Sequence, residues 1–334
     1  MPAPICLSGA SCSTEHMPAR PRIVLTGANG LVGRALTKAL TAQGYEVAPL
    51  RSRTQGPGGM DIASDWLDRD VLEGAHAVIH LAGEPIAQLW TAAAKERILS
   101  SRAKSTRLLA QKLAQAEDFE LGGASKLSLP LRYPPKVFLS MSGINRYGIH
   151  RPGETLTESS AVSDEGFLGK VSAAWEEATN VPGAAHPNGL RTVHLRTGMV
   201  LAASGGALKA MLPAFKAGLG GRVGSGRQQV SWIRLGDLVS LIIWALESPW
   251  VEGPLNAVAP HPVSQADFAR TLGQVLHRPA VIPAPAWAVK LLFGQMGAET
   301  LLADLAVEPR KAIDGGFVWS TPDLPAALAA ALRE

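Results

Sequence analysis

An α/β fold, with a doubly wound parallel sheet and a smaller lobe after it, is predicted by three features of this 334-residue chain. From residue 22 to about 200, short apolar segments alternate with amphipathic ones, the order that builds a parallel sheet covered on both faces. The first apolar segment runs straight into glycines at 27, 30 and 33 and then into a helix pattern. Beyond residue 200, glycines and prolines crowd together and the pieces shorten.

In chain order, strands are predicted at 22–26, 46–50, 77–81, 136–140 and 192–196, each built on a few apolar residues. The helix predicted over 31–43 carries Leu31, Ala35, Leu36, Ala39 and Leu40 on one face. A longer helix over 91–116 sets Leu99, Leu108, Leu109 and Leu113 among charges, and a third covers 168–179. Residues 122–135, rich in Gly, Ser and Pro, read as a loop. After 200 come the loop signals Gly205-Gly206, Gly218-Leu219-Gly220-Gly221 and Gly224-Ser225-Gly226, then helices at 236–247 and 264–276. Short helices around 287–293 and 325–333 follow a proline-rich piece from Pro279 to Pro285. The expected organisation is an N-terminal extension over 1–20, a nucleotide domain over 21–200 and a smaller substrate-side lobe over 201–334.

Composition narrows the function. With 46% hydrophobic and 18% charged residues, the chain reads as a compact enzyme-like protein, and no apolar run approaches the ~18 residues that span a bilayer. A net charge of +4 is small and scattered, and aromatics are only 5%, so neither nucleic acid nor membrane is expected as a partner. The only cysteines are Cys6 and Cys12, which excludes a cysteine nucleophile, disulfide framework or cysteine zinc site in the body of the fold. The eight histidines show no metal-ligand spacing, so no metal is expected. Residues 1–16 have no apolar core after a basic start, unlike a secretory signal, and Met17 reads as the natural beginning; a cytoplasmic location is expected.

The turn Thr26-Gly27-Ala28-Asn29-Gly30-Leu31-Val32-Gly33 meets a demanding mechanical requirement. A strand must reverse sharply, its backbone must approach a pyrophosphate with no Cβ in the way, and the next helix must pack close. Glycines at this spacing supply all three, and the helix N-terminus offers free N–H groups to the anion. The expected architecture is therefore Rossmann-type, binding a dinucleotide. Its second strand ends in Arg51-Ser52-Arg53, where an NAD reader would carry a carboxylate for the ribose 2′-hydroxyl. Two guanidinium groups flanking a hydroxyl suit a 2′-phosphate, so NADP(H) is expected in preference to NAD(H), a solvated basic loop being the other reading. Asp61 is a candidate for the adenine amino group, and Leu81, Ala82 and Gly83, at the end of the third strand, for contact with the cofactor.

Together with the glycine turn, His80-Leu81-Ala82-Gly83-Glu84-Pro85-Ile86 and Trp232-Ile233-Arg234-Leu235-Gly236-Asp237-Leu238 resemble the extended or atypical short-chain dehydrogenase/reductases. Ser101-Arg102, Trp175-Glu176-Glu177, Gly205-Gly206-Ala207-Leu208, Gly218-Leu219-Gly220-Gly221 and Glu308-Pro309-Arg310-Lys311 to Gly316-Phe317 narrow it to an NAD(P)-dependent epimerase/dehydratase-like subgroup. That subgroup ends in a short domain of unknown function, and some relatives carry a cell-division-inhibitor label. The resemblance covers 22 to about 332 and implies a substrate lobe on the C-terminal side.

In that superfamily a Ser works with a Tyr-x-x-x-Lys pair on one helix face, the ammonium lowering the phenol's pKa for proton transfer. Ser142 matches the serine. With Glu176 placed on the superfamily's helix glutamate, Leu168 and Ser172 stand at the Tyr and Lys positions, so the pair is missing. Tyr147 is the only phenol near the expected site, where the superfamily often has a structural Tyr-Gly. Glu84 and Lys170 are the remaining candidates for proton transfer or ribose contact, with a loop carboxylate and a solvated lysine as their plain readings. Arg196, at a strand end, is a candidate for a substrate anion or for tying the lobes together. Asp237 is expected to cap its helix, and His80 to pack in the sheet. The expected function is an NADP(H)-dependent oxidoreductase or epimerase-like protein acting on a small polar, sugar-like molecule, with a homodimer left open. The alternative is a non-catalytic NADP(H) sensor or cell-division partner.

Overall fold

A computed structural model describes residues 21–114, 131, 133–181 and 189–334. The expected extension over 1–20 and most of the loop over 122–135 lie outside the described residues. Strand β1 (Arg22–Thr26) leads through the glycine turn into α1 (Leu31–Ala42), and β2 (Glu46–Ser52) follows. Two short strands, β3 (Gly59–Asp61) and β4 (Trp66–Leu67), precede β5 (Ala77–His80) and the long α2 (Ala92–Ala114). Next come β6 (Val137–Gly143), a 3-10 turn over Ile144–Tyr147, β7 (His150–Leu156), α3 (Gly166–Glu177) and β8 (Arg191–Thr197).

The lobe signals after 200 resolve into more structure than the glycines suggest. They hold β9 (Met199–Leu201), α4 (Gly206–Lys216), β10 (Gln229–Val230), β11 (Trp232–Arg234), α5 (Leu235–Glu247) and β12 (Gly253–Ala257). After them run β13 (Val263–Ser264), α6 (Gln265–Val275), α7 (Ala286–Thr300), β14 (Asp304–Val307), α8 (Arg310–Asp314) and α9 (Leu324–Ala331). Helix α4 forms because Gly206, at φ +66°, turns the chain and Leu208, Leu212 and Phe215 then fall on one buried face. The helix expected to stop near 293 breaks at Gly294, at φ +56°, and resumes to Thr300.

The main sheet runs β12-β8-β6-β5-β1-β2-β3-β4, parallel except for the last pair. The chain builds outward from β1 through β2 to β3, then returns to the other side of β1 for β5, β6, β8 and β12. The order therefore switches between β1 and β5, and in doubly wound sheets the ligand crevice lies at the carboxyl ends of the strands at such a switch. A cut at residue 200 would leave β12 and the covering helix α5 on its far side. Strand residues alternate between two cores: Ile23, Leu25, Ile79 and Leu139 pack on Leu36, Leu40, Leu238 and Ile242, while Val24, Val78 and Phe138 pack on Leu108 and Leu109. A further core, with Leu208, Leu212, Phe215, Trp232, Phe268 and Leu328, holds the later helices together. No helix among the described residues is long and apolar enough to cross a membrane.

Asp237, expected to cap its own helix, instead accepts from the backbone N–H and hydroxyl of Ser320 at 2.8 and 2.6 Å and from the Thr321 hydroxyl at 2.6 Å. It is 1% exposed, and the nearby Arg234 guanidinium adds to these bonds. Burial alone would raise its carboxyl pKa, but these donors outweigh it and hold the group below the ordinary carboxylate range. It therefore pins the C-terminal segment to α5.

Candidate functional site

At the switch point, the glycine turn has the geometry of an anion cradle. Gly27 sits at φ +71°, and a Cβ on it would lie 2.9 Å from the backbone of Leu81 and Ala82. Gly33 packs closer still: its Cβ would fall 2.1 Å from the Gly27 carbonyl oxygen. Gly30 stands at the N-cap of α1, no side chain caps that helix and no acid lies in its first turn. The N–H groups of Leu31, Val32 and Gly33 thus begin a helix whose positive end carries no counter-charge of its own. Asn29 lies exposed at the tip of the turn, where its carbonyl accepts from Arg34 Nη1 at 2.7 Å.

A buried polar chain fixes this turn to the next strand. Register places Thr26 beside His80, and Thr26 Oγ1 lies 2.6 Å from His80 Nδ1. The same oxygen accepts from the N–H groups of Leu81 and Ala82 at 3.1 and 3.2 Å, so its own proton goes to the imidazole. Ser105 Oγ donates to the Ser101 carbonyl at 2.6 Å and lies 3.0 Å from His80 Nε2, which must therefore carry the ring's proton. Burial, aided by the Arg102 charge, pushes the His80 pKa down to about 3, so the ring is neutral. The packed histidine expected from the sequence is thus a spacer that sets the height of the Leu81-Ala82-Gly83 loop above the sheet. Arg102, 7% exposed, lies over the Trp175 ring at 4.9 Å and donates to the Glu84 carbonyl at 2.9 Å. A Cβ on Gly83 would meet its guanidinium at 2.9 Å.

At the end of β2, Arg51 donates to the Pro57 carbonyl at 3.1 Å, and Ser52 closes the strand. Arg53, at φ +60°, reaches across to Glu84, with Nη2 and Oε2 3.6 Å apart. Glu84 also faces Arg97 at 3.5 Å, so this carboxylate is a basic-residue partner on the rim. Asp61 lies at the end of β3, next to β2, and accepts from the Ala63 N–H and from Ser64 and Gln55. Those bonds, led by Ser64, hold its carboxyl below the ordinary range.

Across the crevice, Ser142 and Arg196 are register partners on β6 and β8 and face the same helix, α3. Glu176 lies between them. Its Oε1 accepts from Ser142 Oγ at 2.9 Å and from Arg196 Nε at 2.8 Å, and its Oε2 accepts from Arg196 Nη2 at 2.8 Å. Arg146 adds a second guanidinium at 3.5 Å. Burial pushes the Glu176 pKa up, but the bidentate Arg196 pair outweighs it and the carboxyl is held low. Ser142 therefore has its one proton committed to a carboxylate, which leaves it able to accept a hydrogen bond but not to donate one. Tyr147 is fully buried beneath Arg196, whose guanidinium lies 4.9 Å from the ring, and its hydroxyl donates to Asn256 at 2.8 Å. Burial is the main influence on its phenol and raises its pKa. Lys170 lies on the exposed side of α3, while Leu168 and Ser172 are buried.

The structure thus gathers Ser142 and Arg196 around Glu176, with Tyr147 beneath Arg196, and sets the glycine turn, the 81–84 loop and Arg53 around the other half of the crevice. In the sequence, Glu176 stands out only as part of Trp175-Glu176-Glu177 and as the match to the superfamily's helix glutamate. The signal that marks it is a carboxylate beside Trp175, on the face of a helix that otherwise buries Leu168, Val171 and Ser172.

Residues 23–256 match the NAD dependent epimerase/dehydratase family, and residues 284–331 match a domain of unknown function, DUF1731. The chain is 36% identical over 310 residues to the human epimerase family protein SDR39U1, covering 92% of this chain and 98% of that one. The human protein's crystal structure with NADPH is similar at a TM-score of 0.81, over 93% of this chain and 99% of that chain. Epimerase family protein YfhF of Bacillus subtilis is 34% identical over 92% of this chain and 96% of its own length. A nucleoside-diphosphate sugar epimerase from Corynebacterium glutamicum is similar at a TM-score of 0.71 and 31% identity, over 94% of this chain and 58% of that protein. With the crevice at the strand-order switch, the uncapped glycine turn and matches over both segments, the chain belongs to the NAD dependent epimerase/dehydratase family and carries a C-terminal DUF1731.

Proposed function

We propose that this chain binds NADP(H) and acts as an oxidoreductase of epimerase type on a small polar, sugar-like molecule held at the carboxyl ends of β5, β6 and β8. The observation that carries the reading is the uncapped N-terminus of α1 behind Gly27, Gly30 and Gly33, a cradle that side chains would close. Arg51 and Arg53, at the end of β2, are the groups assigned to the 2′-phosphate, and NADPH in the structure of the human relative supports the phosphorylated cofactor. The bound nicotinamide supplies hydride transfer. The protein's part is to hold the 81–84 loop through Thr26 and His80, and to offer Ser142 as an acceptor for a substrate hydroxyl. The second reading, a sensor that binds NADP(H) without turnover, is favoured by Leu168 and Ser172 in place of Tyr and Lys.

The cofactor preference has its own test. Arg51→Ala combined with Arg53→Ala should weaken NADPH binding at least tenfold while NADH binding changes less than threefold, read by titration of each nucleotide. Equal weakening of both removes the 2′-phosphate assignment. Turnover of NADPH against a panel of carbonyl compounds and nucleotide sugars separates the two functions. Activity that Ser142→Ala abolishes supports the enzyme, and binding without turnover supports the sensor.

A further inference from the structure

Helix α3 brings Glu176 to the crevice, yet nothing near it in sequence caps its N-terminus, and the Glu165 side chain makes no capping bond. Gly166, at φ +73°, turns the chain, and the N–H groups of Phe167 and Leu168 then point at Glu299 on α7. Glu299 Oε1 accepts from Phe167 at 2.9 Å and Oε2 from Leu168 at 2.8 Å. Gln295 donates to Oε1 at 2.6 Å, so this carboxylate, 3% exposed, has three donors. A Cβ on Gly166 would stand 2.9 Å from it. Asn145, just past β6, donates to the Glu299 carbonyl at 3.4 Å, and Lys95 on α2 donates to Gln295 at 2.5 Å. Phe167 meets Trp90 edge to face at 4.9 Å between ring centroids. Helices α2 and α3 both begin at the carboxyl edge of a parallel sheet, so α7 meets them at the rim of the crevice.

We infer that Glu299 is a positioning residue: the DUF1731 segment holds the first turn of α3, and through it the substrate side of the site, by capping that helix with a buried carboxylate. The cofactor cradle at α1 is not part of this contact. The inference rests on reading the rim at α3 as the substrate side.

Hydrogen exchange on the full chain, paired with NADPH titration, tests it. In Glu299→Gln, the amides of Phe167 and Leu168 should exchange at least tenfold faster, while those of Ile23 to Leu25 in β1 and the NADPH dissociation constant stay within twofold. Glu299→Asp, which keeps the charge on a shorter arm, should recover part of the protection. Gly166→Ala strikes the same contact from the other side and should give the same local pattern, with the double variant no worse than the worse single. Where the preparation turns over substrate, kcat should fall while KM for NADPH holds. Unchanged exchange at 167 and 168, or loss spread equally to β1 in both single variants, overturns the inference. Failure of the unmodified chain to bind NADPH overturns the cofactor reading instead, and the exchange result stands apart from it.

Discussion

Glu176→Gln is expected to lower the stability of the fold by about 3–5 kcal/mol, the usual cost of removing one partner from a buried ion pair. Arg196 is 4% exposed and donates both of its strong hydrogen bonds to this carboxylate. Its Nη1 already has no partner, so the variant would leave a buried cation with no counter-charge, only an amide oxygen and the Tyr147 ring beside it. Arg146, at 3.5 Å from Glu176, would add a second like charge to the uncompensated site. Ser142 would lose its carboxylate acceptor at the same time. Urea unfolding at neutral pH reads the effect, and a loss below about 1 kcal/mol would show that water screens the cluster. Replacing Glu176 and Arg196 together by apolar residues of similar volume should return most of the loss, since the desolvation of both charges then disappears.

Gly33→Ala is expected to raise the NADPH dissociation constant about 100-fold, equivalent to ~2.7 kcal/mol. The new Cβ would fall 2.1 Å from the Gly27 carbonyl oxygen and 2.8 Å from the Ala28 Cα, and both are backbone. Gly27 has little room to retreat, because the backbone of Leu81 and Ala82 already fills the space where its Cβ would stand. The start of α1 must swing away instead, and its N–H groups lose their convergence on the cradle. Stability should fall by a further ~1–3 kcal/mol from overpacking. Calorimetric titration with NADPH checks the first effect, and binding within threefold of the unmodified chain would refute it.

The parts of the fold that were legible in the sequence are those whose physics is local. Strand β1 and the start of α1 lie where the pattern predicts, because a phosphate turn constrains eight consecutive residues at once. The doubly wound α/β fold follows from the same alternation. What the sequence hides is set by distant partners. Strand β12 joins the sheet edge only because β8 lies beside it, and its own residues, Gly-Pro-Leu-Asn-Ala, carry little strand signal. Asp237 reads as a helix cap because acids in a first turn usually are, yet Ser320 and Thr321 reach it first. Ser142 could be found by its position at a strand end, but the commitment of its proton depends on Glu176, 34 residues on. Glu299, four residues after Gln295 on α7, leaves no trace in the sequence of the helix that it caps.

The order of synthesis gives the capped helix α3 a further meaning. Every residue of the glycine turn, Arg53 and the 81–84 loop is made by residue 84 of 334, whereas β12 and then Glu299 emerge in the last quarter of the chain. Domains generally fold as units as a chain leaves the ribosome, so a fold whose parts span the chain is completed only when the last of them is made. The residues of the nucleotide cradle are thus made early, but the α5 face on which α1 packs comes later, and the first turn of α3 waits longer still for its carboxylate. Until then, the α3 side of the crevice stays unfinished.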